Sequence, residues 1–110
     1  SLVQPITVDI VNEEQYMYIY VETPGVSREN IEIQFRNNKV IISIEKNRIY
    51  GIPEMSEIKY GKFERTLVLP MCITRRDSVT LSYNHGLTRI KIDKSVQDNN
   101  FSLRFEEEVD

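Results

Sequence analysis

The sequence predicts an all-β protein built as an antiparallel sandwich, and three patterns support that prediction. Apolar residues recur at every second position along most of the chain, which is the period of half-buried strands. Turn-forming pairs such as Pro24-Gly25 and Asn37-Asn38 interrupt the alternation at short intervals. No segment shows a sustained 3.6-residue period, so no helix of useful length is expected. The chain has 110 residues, enough for one domain with a single modest core.

The first two strands are predicted over 6–11 and 15–23. Ile6, Val8 and Ile10 alternate with polar residues in the first. The second strand carries large side chains on both faces. One face has Tyr16, Tyr18 and Tyr20, and the other has Met17, Ile19 and Val21. Because neither face is small or polar, we expect this strand in the middle of a sheet.

A hairpin follows, with its turn at Asn37-Asn38, because asparagine reaches positive φ more easily than most residues. Ile31, Ile33 and Phe35 alternate before the turn, and a second alternating run over 40–44 returns after it. Residues 47–60 are less regular and contain Gly51 and Pro53. They predict a long loop with room for one short extra strand.

Further strands are predicted over 62–69, 78–83 and 87–92, with one helical turn over 74–77. Residues 95–100 are polar and are expected to be flexible. Phe101, Leu103 and Phe105 alternate again before an acidic end, in which Glu106-Glu107-Glu108 indicates a solubilising tail. The total is seven to nine short strands, as in a sandwich.

The charge and the cysteine count exclude several classes of protein. The net charge is −3 with both signs scattered, whereas a nucleic-acid or membrane-surface binder usually carries a basic patch. No apolar stretch approaches the roughly 20 residues that span a bilayer. The single cysteine, Cys72, excludes an internal disulfide, and a reducing cytoplasmic location is expected.

Catalytic and ligand-binding patterns are sparse. Cys72 and His85 are single residues of their types, so a nucleophile–base pair on a small β-sandwich hydrolase stays only as an alternative. His85 precedes Gly86 and is better explained as a turn residue, and Cys72 as a small semi-buried side chain. Neither zinc-ligand spacing nor a phosphate-binding glycine loop is present. We therefore expect no enzyme activity, no metal and no cofactor.

Three segments together carry a family resemblance. They are residues 21–33 with Pro24-Gly25-Val26, residues 60–70 with Gly61-Lys62-Phe63 and Leu69-Pro70, and residues 79–92 with Gly86-Leu87. In this order they resemble the alpha-crystallin domain of small heat-shock proteins. The resemblance is greatest to prokaryotic and plant members, and the short loop at 47–60 is similar to archaeal ones. It implies an immunoglobulin-like sandwich with a strand-exchange loop over 1–94, followed by a flexible C-terminal extension over 95–110.

The resemblance also implies a function and the surfaces that perform it. Members are ATP-independent holdase chaperones that bind unfolding client proteins and assemble from homodimers into higher homo-oligomers. Three residue sets follow: a tail-binding groove of Ile31, Ile33, Phe35, Val79 and Leu81 with Tyr83, a C-terminal motif of Leu103 and Phe105, and dimer strand exchange through Ile6, Val8, Ile10, Ile52, Met55 and Ile58. The alternative is a co-chaperone adaptor similar to CS domains, which would bind a chaperone partner as a monomer.

Three residues depart from the family pattern. Leu81 stands where alanine is common, His85 where asparagine is common, and Thr88 where a core-facing leucine is common. A buried hydroxyl without a partner is costly, so Thr88 raises a question about packing in that hairpin. The larger Leu81 is expected to compensate for the lost volume.

Overall fold

A computed structural model describes residues 6–98 and 102–105 and contains seven strands in two antiparallel sheets. The strands are β1 (Val8–Asn12), β2 (Tyr16–Glu22), β3 (Ile31–Arg36), β4 (Lys39–Lys46), β5 (Gly61–Val68), β6 (Val79–Asn84) and β7 (Leu87–Asp93). One sheet has the order β1-β2-β7-β6 and the other has the order β3-β4-β5. Short 3-10 turns cover Arg28–Asn30, Arg76–Ser78 and Lys94–Val96. The predicted all-β antiparallel sandwich is confirmed.

The core lies between the two sheets and follows from the alternation of side chains along each strand. Its buried members come from the inward faces of both sheets: Ile6, Met17, Ile19, Val21, Val26, Val40, Ile42, Ile44, Leu67, Leu69, Ile90 and Ile92. β2 pairs with β1 on one side and β7 on the other, which confirms its predicted central place. Its three tyrosines occupy the outer face, where Nζ of Lys91 lies 4.4 Å from the centre of the Tyr16 ring.

Two hairpin turns need positive φ angles, and both have residues that adopt such angles more easily than most. Asn37 has a φ of 57°, the left-handed conformation expected in a two-residue turn between β3 and β4. His85 has a φ of 52° at the turn between β6 and β7, where it precedes Gly86 with a φ of 76°. A Cβ atom on Gly86 would lie 3.2 Å from the Cα of Pro24, so this turn needs glycine for space as well.

The chain enters the first sheet later than the alternation suggested. β1 begins at Val8, and Ile6 lies before it with its side chain fully buried in the core. The carbonyl oxygen of Ile6 accepts a 2.8 Å hydrogen bond from Nη1 of Arg65 on the other sheet. Ile6 is apolar and two positions before Val8, so it fits the alternating pattern although it does not pair with a neighbouring strand. The pattern of apolar residues alone therefore does not show where strand pairing begins.

Residues 47–60 connect β4 to β5 without forming a strand in the single chain. The radius of gyration is 18.7 Å. A compact domain of this length would have about 13 Å. Segments outside the two sheets therefore extend away from the sandwich, and this connection is one long exposed segment of that kind.

Candidate functional site

Two neighbouring strands, β3 and β6, each have one edge that pairs with no other strand among the described residues. β6 ends the four-stranded sheet and β3 ends the three-stranded sheet. Ile31, Ile33 and Phe35 on β3 and Val79 on β6 are partly buried, and they pack against the core. Because the inner edges of both sheets are apolar here, an open apolar groove runs between β3 and β6.

The groove consists of two depressions that share Leu81. The larger has a volume of about 520 Å³ and is lined by Ile33, Phe35 and Val79 among others. The smaller has about 320 Å³ and is lined by Ile31 and Tyr83. The structure thus brings all six residues of the predicted groove together along one surface.

Polar contacts hold the end of the groove near Ile31. The hydroxyl of Tyr83 donates a 2.8 Å hydrogen bond to the carbonyl oxygen of Val26. The guanidinium group of Arg28 lies 5.7 Å from the centre of the Tyr83 ring and donates a 3.4 Å hydrogen bond to the Tyr83 carbonyl oxygen. The ring of Tyr83 is therefore fixed from two sides, and the smaller depression has a defined wall.

The structure answers the packing question raised by Thr88 and Leu81. The buried Thr88 hydroxyl lies 2.8 Å from the hydroxyl of Thr23, which also donates to the carbonyl oxygen of Gly86 at 3.0 Å. The hydroxyl is thus satisfied. Leu81 is 52% exposed and lines the groove, so its larger side chain does not fill the core space beside Thr88. The expected compensation by Leu81 is wrong, because about half of its side chain is exposed in the open groove at the edge of the sheet.

The opposite edge of the four-stranded sheet is β1, which within the described residues pairs with β2 on one side only. Val8 is half-buried and Ile10 is exposed, whereas Ile6 lies in the core before the strand begins. Of the three residues predicted for the receiving edge, two therefore lie on the exposed strand. An unpaired edge offers a row of N–H and C=O groups to an added strand.

The loop over 47–60 carries a concentration of exposed apolar side chains. Ile52 is 91% exposed, Met55 72% and Ile58 53%, and Ile49 and Tyr50 are exposed as well. Monomeric proteins rarely leave so many large apolar side chains in water on one segment, and such surfaces usually mark an interface. The three residues predicted for strand exchange are thus accessible to a partner.

The two ends of this loop are joined by a pair of tyrosines. The hydroxyls of Tyr50 and Tyr60 are hydrogen-bonded, and their rings lie edge to face with centroids 6.3 Å apart. This hydrogen bond raises the pKa of Tyr60 above its ordinary value, with a smaller contribution from desolvation. The loop is thereby closed at its base, and sequence reasoning missed the pair because ten residues separate the two rings.

The predicted C-terminal motif lies outside the core. Leu103 is 65% exposed and Phe105 90% exposed, so neither side chain occupies the groove of its own chain. The neighbouring Phe101, part of the predicted alternation, and the acidic run at 106–108 lie outside the described residues.

The segment that leads to this motif is anchored to the domain by Gln97, which sequence reasoning did not identify. Its side-chain oxygen accepts hydrogen bonds from the backbone N–H groups of Thr74 and Arg75 at 2.7 and 3.3 Å. Its side-chain nitrogen donates to the Ser78 hydroxyl and to the Asp93 carbonyl oxygen, each at 2.7 Å. Residues up to 98 are therefore held beside the groove, although 95–100 were expected to be flexible. A glutamine in a polar run gives no sequence signal of burial.

The residues considered for catalysis are not brought together. Cys72 is exposed and precedes Ile73, which lines the groove near Val79 at the start of β6. His85 follows the other end of β6, about 15–20 Å away for a strand of this length. Across residues 6–98 and 102–105 no group of three or more potential metal ligands is found. In the same ranges, no helix has the length and apolar character needed to cross a membrane.

A model of the Hsp20/alpha crystallin family matches residues 9–106 of this chain. The chain belongs to the Hsp20/alpha-crystallin family. The small heat shock protein C4 of Rickettsia felis is 31% identical over 93 residues, which cover 81% of this chain and 56% of that protein. The chain therefore spans little more than half the length of this relative. No finding supports the adaptor alternative.

Solved structures of small heat-shock proteins share the fold. Heat shock protein 16.0 from Schizosaccharomyces pombe superposes with a TM-score of 0.73 at 24% identity, covering 91% of this chain and 94% of that one. A small heat-shock protein from Xylella fastidiosa, described as having a distinct high order structure, gives a TM-score of 0.67 at 26% identity, with 91% and 93% covered. The sandwich is thus that of an alpha-crystallin domain.

Proposed function

We propose that this chain is an ATP-independent holdase chaperone that binds partly unfolded proteins and prevents their aggregation. The family assignment supports a chaperone function, and its members are chaperones rather than enzymes. The observation that carries the finer proposal is the accessible apolar surface, divided between the groove beside Leu81 and the loop beside Ile52. An unfolding protein exposes apolar segments, and a chaperone that presents such surface can bind them without chemistry.

The two surfaces have separate roles in assembly. The loop over 47–60 adds a strand to the β1 edge of a second copy, where main-chain hydrogen bonds and the side chains of Ile52, Met55 and Ile58 form a homodimer. Leu103 and Phe105, within the extension over 95–110, bind the groove of another copy. Dimers joined through these tails form larger oligomers.

The free energy gained by burying the tail side chains is partly offset by the cost of ordering the tail, which favours reversible contacts. Burying two side chains of this size contributes roughly 1.5–3 kcal/mol each. Ordering the tail costs roughly 1–2 kcal/mol for each fixed residue. A single tail contact is therefore weak, whereas several in one assembly reinforce each other through effective concentration. Warming releases tails first and exposes grooves to clients.

An aggregation assay tests the holdase function directly. A client protein is heated without ATP in the presence of this chain, and light scattering is recorded against the chain-to-client ratio. Suppression that grows with the ratio supports the proposal. Scattering unchanged at a tenfold molar excess would contradict it.

We propose a cytoplasmic location, in keeping with the single free cysteine Cys72.

A further inference from the structure

The two ends of the groove between β3 and β6 differ in charge. Beside Ile31, four carboxylates surround a neighbouring depression that holds a single lysine: Glu29, Glu32, Glu45 and Glu64 with Lys62. Beside Phe35 and Val79, Arg75 and Arg76 line the groove, and Arg36 follows Phe35 at the end of β3. The groove itself is lined near Ile31 by one charged residue, Arg28, which is engaged with Tyr83. Together with the carboxylates of the neighbouring depression, the surroundings of the Ile31 end carry a net negative charge, whereas at the Phe35 end the arginines outnumber Asp77 and Asp98.

One cation at the basic end is available to a partner. Arg75 forms a two-point ion pair with Asp77, with nitrogen–oxygen distances of 3.0 and 2.9 Å. Asp98 also lies near Arg75 and Arg76 on this surface. Arg76, by contrast, makes no ion pair or side-chain hydrogen bond to any residue in the described part of the chain. An incoming carboxylate can therefore pair with Arg76 without displacing an existing partner.

The C-terminal segment has a matching asymmetry. Its sequence places Glu106, Glu107 and Glu108 directly after Phe105, so the acidic charge follows the second of the two apolar anchors. The anchors also differ in size, and the larger depression of about 520 Å³ suits phenylalanine better than the smaller one of about 320 Å³. Residues i and i+2 of an extended chain are roughly 7 Å apart on one face, which allows both anchors to occupy neighbouring depressions.

We propose that the tail of a second copy of this chain binds the groove with one polarity, resting on the tail–groove contact of the proposed function. Leu103 occupies the smaller depression, Phe105 the larger one, and the glutamates after Phe105 pair with Arg76. Since β6 runs from Val79 to Asn84, the tail then lies antiparallel to β6.

The same geometry explains why the occupant comes from another copy. The backbone N–H of Asp98 donates a 2.7 Å hydrogen bond to the Thr74 hydroxyl, so each tail leaves its own domain at the basic end of its own groove. A tail that entered its own groove would reach the larger depression first, with Leu103. Its acidic run would then point toward the carboxylates near Ile31.

Paramagnetic broadening in NMR measures the polarity. The full chain with Leu103→Ser and Phe105→Ser is labelled with 15N, so that its own tail does not compete, and a peptide of residues 99–110 is added. A nitroxide at the peptide's C-terminus is expected to broaden the amide signals of Arg36, Arg75 and Arg76. A nitroxide at its N-terminus is expected to broaden Arg28 and Glu29. The reverse pattern would overturn the polarity while leaving the tail–groove contact standing, and no binding at all would overturn both.

Charge reversal tests the pairing itself with the same peptide. Arg76→Glu is expected to weaken binding about two- to fivefold at low salt and less at high salt, as exposed ion pairs do. A peptide with lysine in place of Glu106, Glu107 and Glu108 should bind the Arg76→Glu chain more tightly than the unmodified peptide does. Lys62→Glu, a matched reversal on the outer side of the groove's acidic end, is expected to leave affinity within twofold. Equal effects of Arg76→Glu and Lys62→Glu would overturn the assignment to Arg76.

Discussion

The hydroxyl oxygens of Thr23 and Thr88 lie 2.8 Å apart in the buried end of the sandwich. Thr23 follows β2, and Thr88 faces the core from β7 beside Val21. Because Thr23 also donates to the Gly86 carbonyl oxygen, it is left to accept from Thr88. The pair connects the end of β2 to the turn between β6 and β7.

This pair predicts a non-additive effect on stability. Thr88→Val removes one hydroxyl at nearly constant volume and leaves the other short of a partner, so we expect a loss of about 1 kcal/mol in the free energy of unfolding. Thr23→Val together with Thr88→Val removes both hydroxyls, and the double variant should lose less than the sum of the single variants. Urea unfolding of the four chains measures the coupling. Additive losses would show that the two hydroxyls do not interact.

The exposed loop predicts a dimerisation defect. Ile52→Ser with Ile58→Ser removes two apolar side chains that burial would stabilise by roughly 1.5 kcal/mol or more each. A symmetric dimer exchanges one loop from each chain, so the loss counts twice and the dimer dissociation constant should rise by about 10,000-fold. Val68→Ser, on an exposed valine of β5, is the matched control and should leave dimers unchanged. Deletion of residues 52–59 should give monomers in sedimentation velocity, and persistent dimers would indicate a different interface.

The tail predicts a separate defect in higher assembly. Leu103→Ser with Phe105→Ser should reduce oligomer size to dimers, because the two anchors are replaced by polar groups. Arg104→Ser changes the residue between them, whose side chain would face solvent in an extended tail, and should leave oligomer size unchanged. Size-exclusion chromatography with light scattering compares the three chains. Oligomers of unchanged mass in the double variant would argue against the tail assignment.

The Tyr50–Tyr60 contact predicts a titration at high pH. The hydrogen bond between the two hydroxyls, with Tyr60 as the donor, stabilises the neutral phenol of Tyr60 and raises its pKa. Its stabilising effect is complete below the ordinary tyrosine pKa and is lost as the pH rises through the raised value. Spectrophotometric titration should therefore show one late-titrating tyrosine, and Tyr50→Phe should return it to the ordinary range. Identical titration curves for both chains would contradict the contact.

Substitution of Gln97 is predicted to lower stability, although nothing in the sequence marks this glutamine as buried. Gln97→Leu keeps a similar volume but leaves the N–H groups of Thr74 and Arg75 short of their acceptor, at an expected cost of about 1–3 kcal/mol. Asp98→Ala changes the exposed neighbour and should cost much less. Thermal unfolding compares the two. Hydrogen exchange at residues 74–78 should also become faster in the Gln97 variant alone.

Strand alternation predicted most of the fold because burial of one sheet face imposes a two-residue period on the sequence. The asparagine turn at Asn37 and the central place of β2 followed from the same local rules. The start of β1 did not, since Ile6 keeps the alternation while its side chain enters the core.

Contacts between distant segments were beyond sequence reasoning. The partners of Thr88, Gln97 and Tyr60 are 65, 23 and 10 residues away in the chain. Each depends on where the sandwich places a loop or turn, and residue type alone does not encode that position. The groove residues were accessible to prediction only because the resemblance identified β3 and β6 as neighbours.

Native mass spectrometry across concentration and temperature tests most directly whether this domain works through its exposed edges. We expect dimers at low micromolar concentration, larger oligomers as concentration rises, and release of dimers on warming. A strict monomer at tens of micromolar, at every temperature below unfolding, would contradict both the loop and the tail interfaces.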